Sequence, residues 1–158
     1  TRYISVTGVQ TCALPISGKF MPTDVRGKTK VQEWLFWQMG GLGPMAGQAG
    51  YFRVYAPETV PFAVERYTRE LTRLYGVMDT RLAQAAYLGG EAYSIADMAA
   101  YPWIVPHAPH GQDLEAHPHL KRWFDAISSR EAVQRTYSGV DCVYGSPGAP
   151  VAALERTH

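Results

Sequence analysis

A repeating apolar stripe in the middle of the chain predicts an amphipathic helix over residues 59–86. Its members recur at three- and four-residue steps, as one face of an α-helix requires: Val60, Val64, Tyr67, Leu71, Leu74, Met78 and Leu82. Glu65 and Arg69 stand four residues apart on the opposite face, a spacing at which opposite charges attract each other. This stripe is the strongest helix signal in the sequence.

The preceding segment predicts a helix over residues 28–39 that is apolar on more than one side. One face carries Val31, Trp34, Leu35 and Gln38, whereas Phe36 and Trp37 lie elsewhere. Such a helix needs a second packing partner besides its own core, either another domain or a subunit. The glycines and proline of residues 40–44 predict a kink or short break. The helix then resumes to about Gln48, and residues 49–57 form a loop.

Three more helices are predicted in the second half of the chain. Residues 94–105 are mostly apolar and predict the most buried helix, with a kink at Pro102. Residues 118–128 predict an amphipathic helix, and its inward residues are Leu120, Trp123, Phe124 and Ile127. Ser129 is expected to cap a last short helix through Tyr137. Because no strand-rich segment follows the first seventeen residues, we predict an all-α bundle of five or six helices.

The most informative stretch is the turn and helix start at residues 88–97. Gly89 and Gly90 permit a sharp reversal, because glycine reaches positive φ at little steric cost. Ser94 is a favourable N-cap, and Asp97 stands where its carboxylate accepts from the Ser94 N–H in a capping box. A carboxylate can also serve as a catalytic base. Since the spacing accounts for Asp97 fully as a cap, we assign Ser94 and Asp97 a structural role.

Length and composition restrict the class of protein. The chain has 158 residues, 46% of them apolar and 18% charged, which fits a soluble protein with one core. A net charge of +1 creates no broad field for nucleic acid or an anionic membrane. No apolar run is long enough to span a bilayer. The only two cysteines, Cys12 and Cys142, form no disulfide framework, so the expected compartment is the cytoplasm.

The two ends of the chain differ from its middle. Residues 6–16 resemble the conceptual translation of a sequencing adapter, so we expect residues 1–17 to be a non-native arm. The alternative is a short β-like arm, which Tyr3, Ile4, Val6 and Val9 would suit. Residues 141–158 are rich in Gly, Pro and Ala and predict a flexible tail. The helical domain is therefore expected over residues 18–140.

Three segments, in the same order, resemble the C-terminal helical domain of glutathione transferases. The first is Trp-Leu-Phe-Trp-Gln-Met-Gly-Gly-Leu-Gly-Pro-Met-Ala-Gly-Gln at residues 34–48. The second is Val-Pro-Phe-Ala-Val-Glu-Arg-Tyr at residues 60–67, and the third is the double-glycine turn followed by Tyr-Ser-Ile-Ala-Asp at residues 93–97. The first two are most similar to the bacterial Nu class, whose members act as glutathione-dependent disulfide-bond oxidoreductases. The resemblance covers roughly residues 20–137.

The resemblance implies a parent enzyme that uses glutathione to reduce disulfides and that forms a homodimer. In that family the thiolate is activated in an N-terminal thioredoxin-like domain, whose motifs we do not expect within residues 1–158. No catalytic residue can therefore be placed here, and we expect the chain to be inactive on its own. The alternative is a non-catalytic dimerisation or interaction module with the same fold. A free-standing helical ligand carrier is a third reading.

The resemblance also implies four site residues. Arg66 matches an arginine that contacts glutathione, and a guanidinium can grip a carboxylate with two hydrogen bonds. The alternative is an exposed ion pair with Glu58, Glu65 or Glu70. Gln38, Met45 and Gln48 would wall the pocket of the second substrate, or else serve ordinary interdomain packing. The aromatic residues Tyr51, Phe52, Tyr101 and Trp103 could line the same cleft or lie in the core.

Other kinds of site are not indicated. His107 with His110, and His117 with His119, look like ligand pairs, but the proline between the members of each pair prevents a regular helix from presenting them together. No cysteine or compact acidic set completes a metal site, so we expect these histidines to lie in solvent. The glycines of residues 40–43 follow a helix and lack the lysine of a phosphate-binding loop. Glutathione, as the substrate of the parent enzyme, is thus the one small-molecule ligand that we expect, and we expect no metal.

Overall fold

A computed structural model of the protein describes residues 18–138. Within that range six α-helices follow one another: α1 (Val25–Trp37), α2 (Gly43–Gly50), α3 (Pro61–Leu82), α4 (Ile95–Ile104), α5 (Pro118–Ser128) and α6 (Glu131–Tyr137). The β-structure of these residues is one isolated bridge between Tyr87 and Gly90, and the predicted all-α class is confirmed. The predicted arm and tail, residues 1–17 and 141–158, lie outside the described residues.

The first half of the described chain is more continuously helical than predicted. α1 begins at Val25, three residues early, because the Asp24 carboxylate accepts from the Gly27 N–H at 2.8 Å. Two π-helical turns, Gln38–Leu42 and Tyr51–Tyr55, then carry the chain into and out of α2. Of the kink or short break predicted at residues 40–44, the break is not formed, and the predicted loop at residues 49–57 is wrong because residues 51–55 are helical. A π-turn lets the backbone widen without leaving the helix.

α3 is shorter than the predicted helix of residues 59–86. Pro61 stands at its start, where a missing N–H is tolerated. Five of its six buried residues lie in its C-terminal half, Leu71, Leu74, Tyr75, Met78 and Leu82, and the sixth is Ala63. Val60, the first member of the predicted stripe, is 42% exposed. The N-terminal part of α3 is thus left as surface.

α4 and α5 both contribute buried residues to the core. α5 has the predicted bounds, and its inward residues Leu120, Trp123, Phe124 and Ile127 are all buried, as predicted. Asp79 of α3 accepts from the backbone N–H of His119 and Leu120 at 2.8 and 2.9 Å, which caps the start of α5. Ser129 does not cap α6, so that prediction is wrong: the N-cap is Arg130. The Ser129 hydroxyl instead donates to the Ala126 carbonyl at 3.0 Å at the end of α5.

The double-glycine turn before α4 allows a close approach to α1. A Cβ on Gly89 would lie 2.5 Å from the Val31 Cγ2 atom, and Gly90 has a φ of +149°. Both observations call for glycine. The turn therefore fixes how α4 sits against α1.

The Asp97 carboxylate joins this turn to α4 and α5. One oxygen accepts from the Leu88 N–H at 2.9 Å and from the Trp123 indole N–H at 2.8 Å. The other accepts from the Ser94 N–H at 2.9 Å and from the Ser94 hydroxyl at 2.8 Å, within a capping box. Burial raises the pKa of Asp97, and these four hydrogen bonds oppose the rise. The side chain is completely buried.

The described helices include none that combines the length and the apolar character needed to cross a membrane.

Candidate functional site

A cleft of about 340 Å³ lies where the N-terminal half of α3 meets α2. Its lining residues are Met45, Arg66, Tyr67, Arg69 and Glu70. Met45 belongs to α2 and the other four to α3. The cleft therefore brings together two of the predicted site residues, Met45 and Arg66, which are twenty-one residues apart in the sequence.

The charged side chains that line the cleft differ in whether they form an ion pair. Both Glu70 carboxylate oxygens accept from Arg73, one from Nε at 2.9 Å and one from Nη2 at 2.7 Å. These bonds hold the pKa of Glu70 below its usual value and keep it ionised. Arg66 and Arg69 form no ion pair with a carboxylate of the described residues. The predicted Glu65–Arg69 pair is therefore wrong, and the ion-pair alternative for Arg66 is not formed.

An aromatic pair supports one wall of the cleft. The Tyr67 ring stacks on the Phe52 ring, with centroids 5.5 Å apart and an interplanar angle of 7°. The Phe52 ring also meets the Tyr51 ring edge-to-face at 5.1 Å. Phe52 stands in the π-turn after α2, so this stacking ties that turn to α3. Met45, half-buried, supplies a soft apolar surface on the opposite helix.

The other two predicted wall residues lie elsewhere. Gln38 is buried beneath α2, and its Oε1 has no hydrogen-bond partner among residues 18–138. A Cβ on Gly43 would lie only 2.8 Å from the Gln38 Nε2 atom, so the side chain fills space against the α2 backbone. Gln48 is exposed on α2, and neither glutamine lines the cleft.

The remaining aromatic candidates divide between core and surface. Tyr101 is 3% exposed and its ring stacks on the Phe124 ring at 5.3 Å, so it is a core residue. Trp103 lies against α2 at Gly43 and Gly47. Neither residue reaches the cleft lining. Tyr51 is 46% exposed beside Phe52.

One histidine contradicts the prediction of solvent exposure. His110 is 1% exposed, and burial, with the charges of Arg53 and His107, lowers its pKa to about 4. The loop that carries it is tied to the second π-turn, because the Arg53 Nε–H donates to the Pro109 carbonyl at 3.0 Å. Across the described range, no three His, Cys, Asp or Glu side chains are grouped so as to hold a metal ion.

Sequence reasoning did not assign three of the five cleft residues, Tyr67, Arg69 and Glu70, to a site, and Arg69 is the informative case. Arg69 was assigned to the solvent face of α3 and to a pair with Glu65, whereas it lines the cleft beside Arg66. The signal was present, because residues three apart on a helix are neighbours on one face. What the sequence lacks is the position of α2, which turns that face into a cleft.

Comparison with known proteins gives a family match over most of the described chain. The sequence profile of the "Glutathione S-transferase, C-terminal domain" family matches residues 43–131. The disulfide-bond oxidoreductase YfcG of Escherichia coli is 46% identical over 116 residues, which are 73% of this chain and 54% of that protein. The chain thus spans about half the length of this curated relative.

Solved structures agree with the family match. A glutathione transferase from Burkholderia graminis, with two glutathione molecules bound per subunit, superposes with a TM-score of 0.74 at 30% identity. The match covers 82% of this chain and 57% of that one. A glutathione transferase from Pseudomonas putida, with one glutathione disulfide per subunit, superposes with a TM-score of 0.71 at 32% identity. That match covers 77% of this chain and 56% of the other.

Proposed function

Because this chain belongs to the glutathione S-transferase family through its C-terminal helical domain, we propose that it is part of a glutathione-dependent disulfide-bond oxidoreductase. The similarity to YfcG supports this activity over other transferase reactions. We place the protein in the cytoplasm, where a reducing environment maintains glutathione as a thiol. The domain boundaries we propose are residues 18–140, with residues 1–17 as a non-native arm and 141–158 as a tail.

The observation that carries the proposal is the cleft shared by Arg66 and Met45. Arg66 would grip a carboxylate of glutathione through parallel charge-assisted hydrogen bonds. Met45 would offer a polarisable surface to the second sulfur substrate. The lining residues of the cleft include no thiol of their own, so the work we propose for them is to bind and orient the two substrates.

The chemistry itself is thiol–disulfide exchange. A glutathione thiolate attacks one sulfur of the disulfide, a mixed disulfide forms, and the other sulfur leaves as a thiolate. A second glutathione thiolate then attacks the mixed disulfide, so glutathione disulfide forms and the substrate is released as two thiols. We propose that a thioredoxin-like half stabilises the attacking thiolate, and that the 158-residue chain alone does not catalyse the reaction.

A fusion tests this proposal. The thioredoxin-like half of YfcG is joined to this chain, and glutathione-dependent reduction of 2-hydroxyethyl disulfide is measured for the chain and the fusion. We expect activity in the fusion only. Arg66→Ala in the fusion should raise the KM for glutathione by about 10-fold or more, as expected for loss of a charged hydrogen bond. Arg26→Ala, on the exposed face of α1, is the matched control.

Two results would contradict the proposal. Robust reduction by the chain alone would show that a catalytic group lies within it. A folded fusion with no activity would favour the alternative, a non-catalytic dimerisation or interaction module.

We also propose that the protein is a homodimer through the outer face of α1. Val25 is 83% exposed and Phe36 is 71% exposed. These residues are eleven apart, about three helical turns, so they share one face. Met39, 55% exposed, follows in the next turn. Exposed apolar side chains of this size, with Phe36 and Met39 close together at the end of α1, favour a protein–protein contact there.

Sedimentation equilibrium tests the dimer. We expect the chain to sediment as a dimer and Phe36→Asp to sediment as a monomer, because a charge in an apolar contact is left unpaired. The control is Phe62→Asp, since Phe62 is 74% exposed on α3. If Phe36→Asp left the mass unchanged while Phe62→Asp halved it, the interface would be on α3 instead.

A further inference from the structure

We propose that Arg69 is a second anion-binding group of the cleft and makes it select disulfides that carry a carboxylate on the side away from glutathione. The inference rests on the proposed function and names the substrate class of the same site. Arg69 lines the cleft together with Arg66 and Met45. Under the proposed function Arg66 holds glutathione, which leaves Arg69 for the second substrate.

The geometry of α3 places the backbone positions of Arg66 and Arg69 one after the other along the cleft. Arg66 and Arg69 are three residues apart, so they lie on the same face of the helix about 4.5 Å apart along its axis. One ligand carboxylate engages one guanidinium in a bidentate pair. With five N–H donors on each guanidinium, two arginines on one face have enough donors for two carboxylates, or for two anionic ligands side by side.

The acidic residue of the cleft does not cancel this charge. Both Glu70 oxygens accept from Arg73, at 2.7 and 2.9 Å. Arg66, Arg69, Glu70 and Arg73 follow the i, i+3, i+4, i+7 spacing of one helix face. That face carries three positive charges against one negative charge. A carboxylate that enters the cleft is therefore attracted by a net positive charge, because the Glu70 carboxylate is paired with Arg73.

The walls suit the sulfur atoms of such a ligand. Met45 supplies a thioether surface from α2. The Tyr67 ring is held in place by its stack on Phe52. A disulfide between these walls would have its flanking carboxylate within the field of Arg69. A neutral disulfide would gain the apolar contact alone.

A matched pair of small disulfides tests the inference on the full 158-residue chain. Dithiodiglycolate carries a carboxylate on each side of the disulfide, and 2-hydroxyethyl disulfide carries a hydroxyl in the same place. Dissociation constants are measured by heteronuclear NMR titration in a buffer without phosphate or carboxylate. The preference is the ratio of the two constants. We expect dithiodiglycolate to bind more tightly and to perturb residues 66–70.

Three variants test whether Arg69 causes the preference for the anionic disulfide. Arg69→Gln should reduce the preference by about three- to tenfold, since a charge-assisted hydrogen bond is lost. Arg69→Lys keeps the charge without the planar fork and should restore part of the preference. Arg26→Gln, exposed on α1, should leave it unchanged. The inference is overturned if Arg69→Gln leaves the preference intact, or if the chain shows no preference.

The outcome is separable from that of the proposed function. Arg69 can govern binding of the anionic disulfide in a chain whose fusion is inactive, and then only the oxidoreductase proposal fails. Conversely, an active fusion that depends on Arg66 but has the same preference with Arg69→Gln would overturn this inference alone.

Discussion

Asp97→Ala is expected to lower the free energy of unfolding by about 3–5 kcal/mol, the range for a broken buried hydrogen-bond network. The carboxylate accepts four hydrogen bonds, and its removal leaves the Leu88 N–H, the Ser94 N–H and the Trp123 indole without their acceptor. Each buried donor that loses its partner carries a desolvation cost. A small domain has only about 5–15 kcal/mol of stability, so much of the sample could unfold.

Urea unfolding followed by far-UV circular dichroism measures the effect. Asp125→Ala is the matched control, because Asp125 also lies in a helix but is exposed and pairs only with Lys121. We expect it to change stability by less than about 0.5 kcal/mol, as for other exposed ion pairs. A loss below about 1 kcal/mol for Asp97→Ala would show that water satisfies the freed donors.

Asp97→Asn separates the hydrogen bonds from the space that the side chain fills. The amide keeps one acceptor oxygen and the same shape. Its NH₂ group can donate to the Ser94 hydroxyl but cannot accept from the Ser94 N–H. We expect a loss smaller than that of Asp97→Ala. Equal losses would contradict the view that the remaining acceptor stabilises the turn.

The elements that could be predicted from the sequence are those with local signals. The bounds of α5 follow from Pro118 at its start and four apolar residues at helical spacing. The capping box at Ser94 and Asp97 was visible from their separation alone. These signals involve residues that are close together in the sequence, within one or two helical turns. The predictions based on them are confirmed because tertiary packing favours the same local structure.

The π-turns are elements that local sequence patterns do not predict. Residues 49–57 lack a clear apolar period, yet Tyr51–Tyr55 is helical, with the Ala56 N–H donating to the Tyr51 carbonyl at 2.7 Å. Phe52 is held there by its stack on Tyr67, a contact between residues fifteen apart. No periodicity within the segment could reveal that contact. Tertiary packing selected a helical form that the local sequence does not favour.

The first π-turn also explains why two predicted site residues are apart. Gln38 and Met45 are seven residues apart and would share a face on a regular α-helix. The turn at Gln38–Leu42 adds about one residue to the helical turn, which rotates the following chain by about 100°. Gln38 is therefore buried while Met45 reaches the cleft.

The buried histidine yields the prediction with the clearest pH dependence. Burial lowers the pKa of His110 to about 4, against about 6.5 in the unfolded chain. Between these values the unfolded chain binds a proton at this residue and the folded protein does not, so stability rises with pH. The contribution of His110 to the free energy of unfolding is fully present well above pH 6.5, where the imidazole is neutral in both states. It should fall by about 2 kcal/mol at pH 5 and about 3 kcal/mol at pH 4.

The charges facing His110 strengthen this expectation. Arg53 reaches the same loop from the second π-turn and donates to Pro109, and His107 stands on the loop itself. Protonation of the imidazole would place a further positive charge among them. Gly111 has a φ of +74°, and a Cβ there would lie 2.6 Å from the Arg53 Cζ atom, so the guanidinium packs closely on the loop that carries His110.

The measurement is the free energy of unfolding in urea at pH 7.5, 6.0 and 5.0. His110→Gln should remove about 2 kcal/mol of the decrease seen on acidification to pH 5. His119→Gln is the control, because His119 is exposed at the start of α5. The comparison uses the slope of stability with pH, so a constant loss caused by the substitution itself does not affect it. Identical slopes for the original protein and His110→Gln would show that His110 takes up its proton equally well when folded.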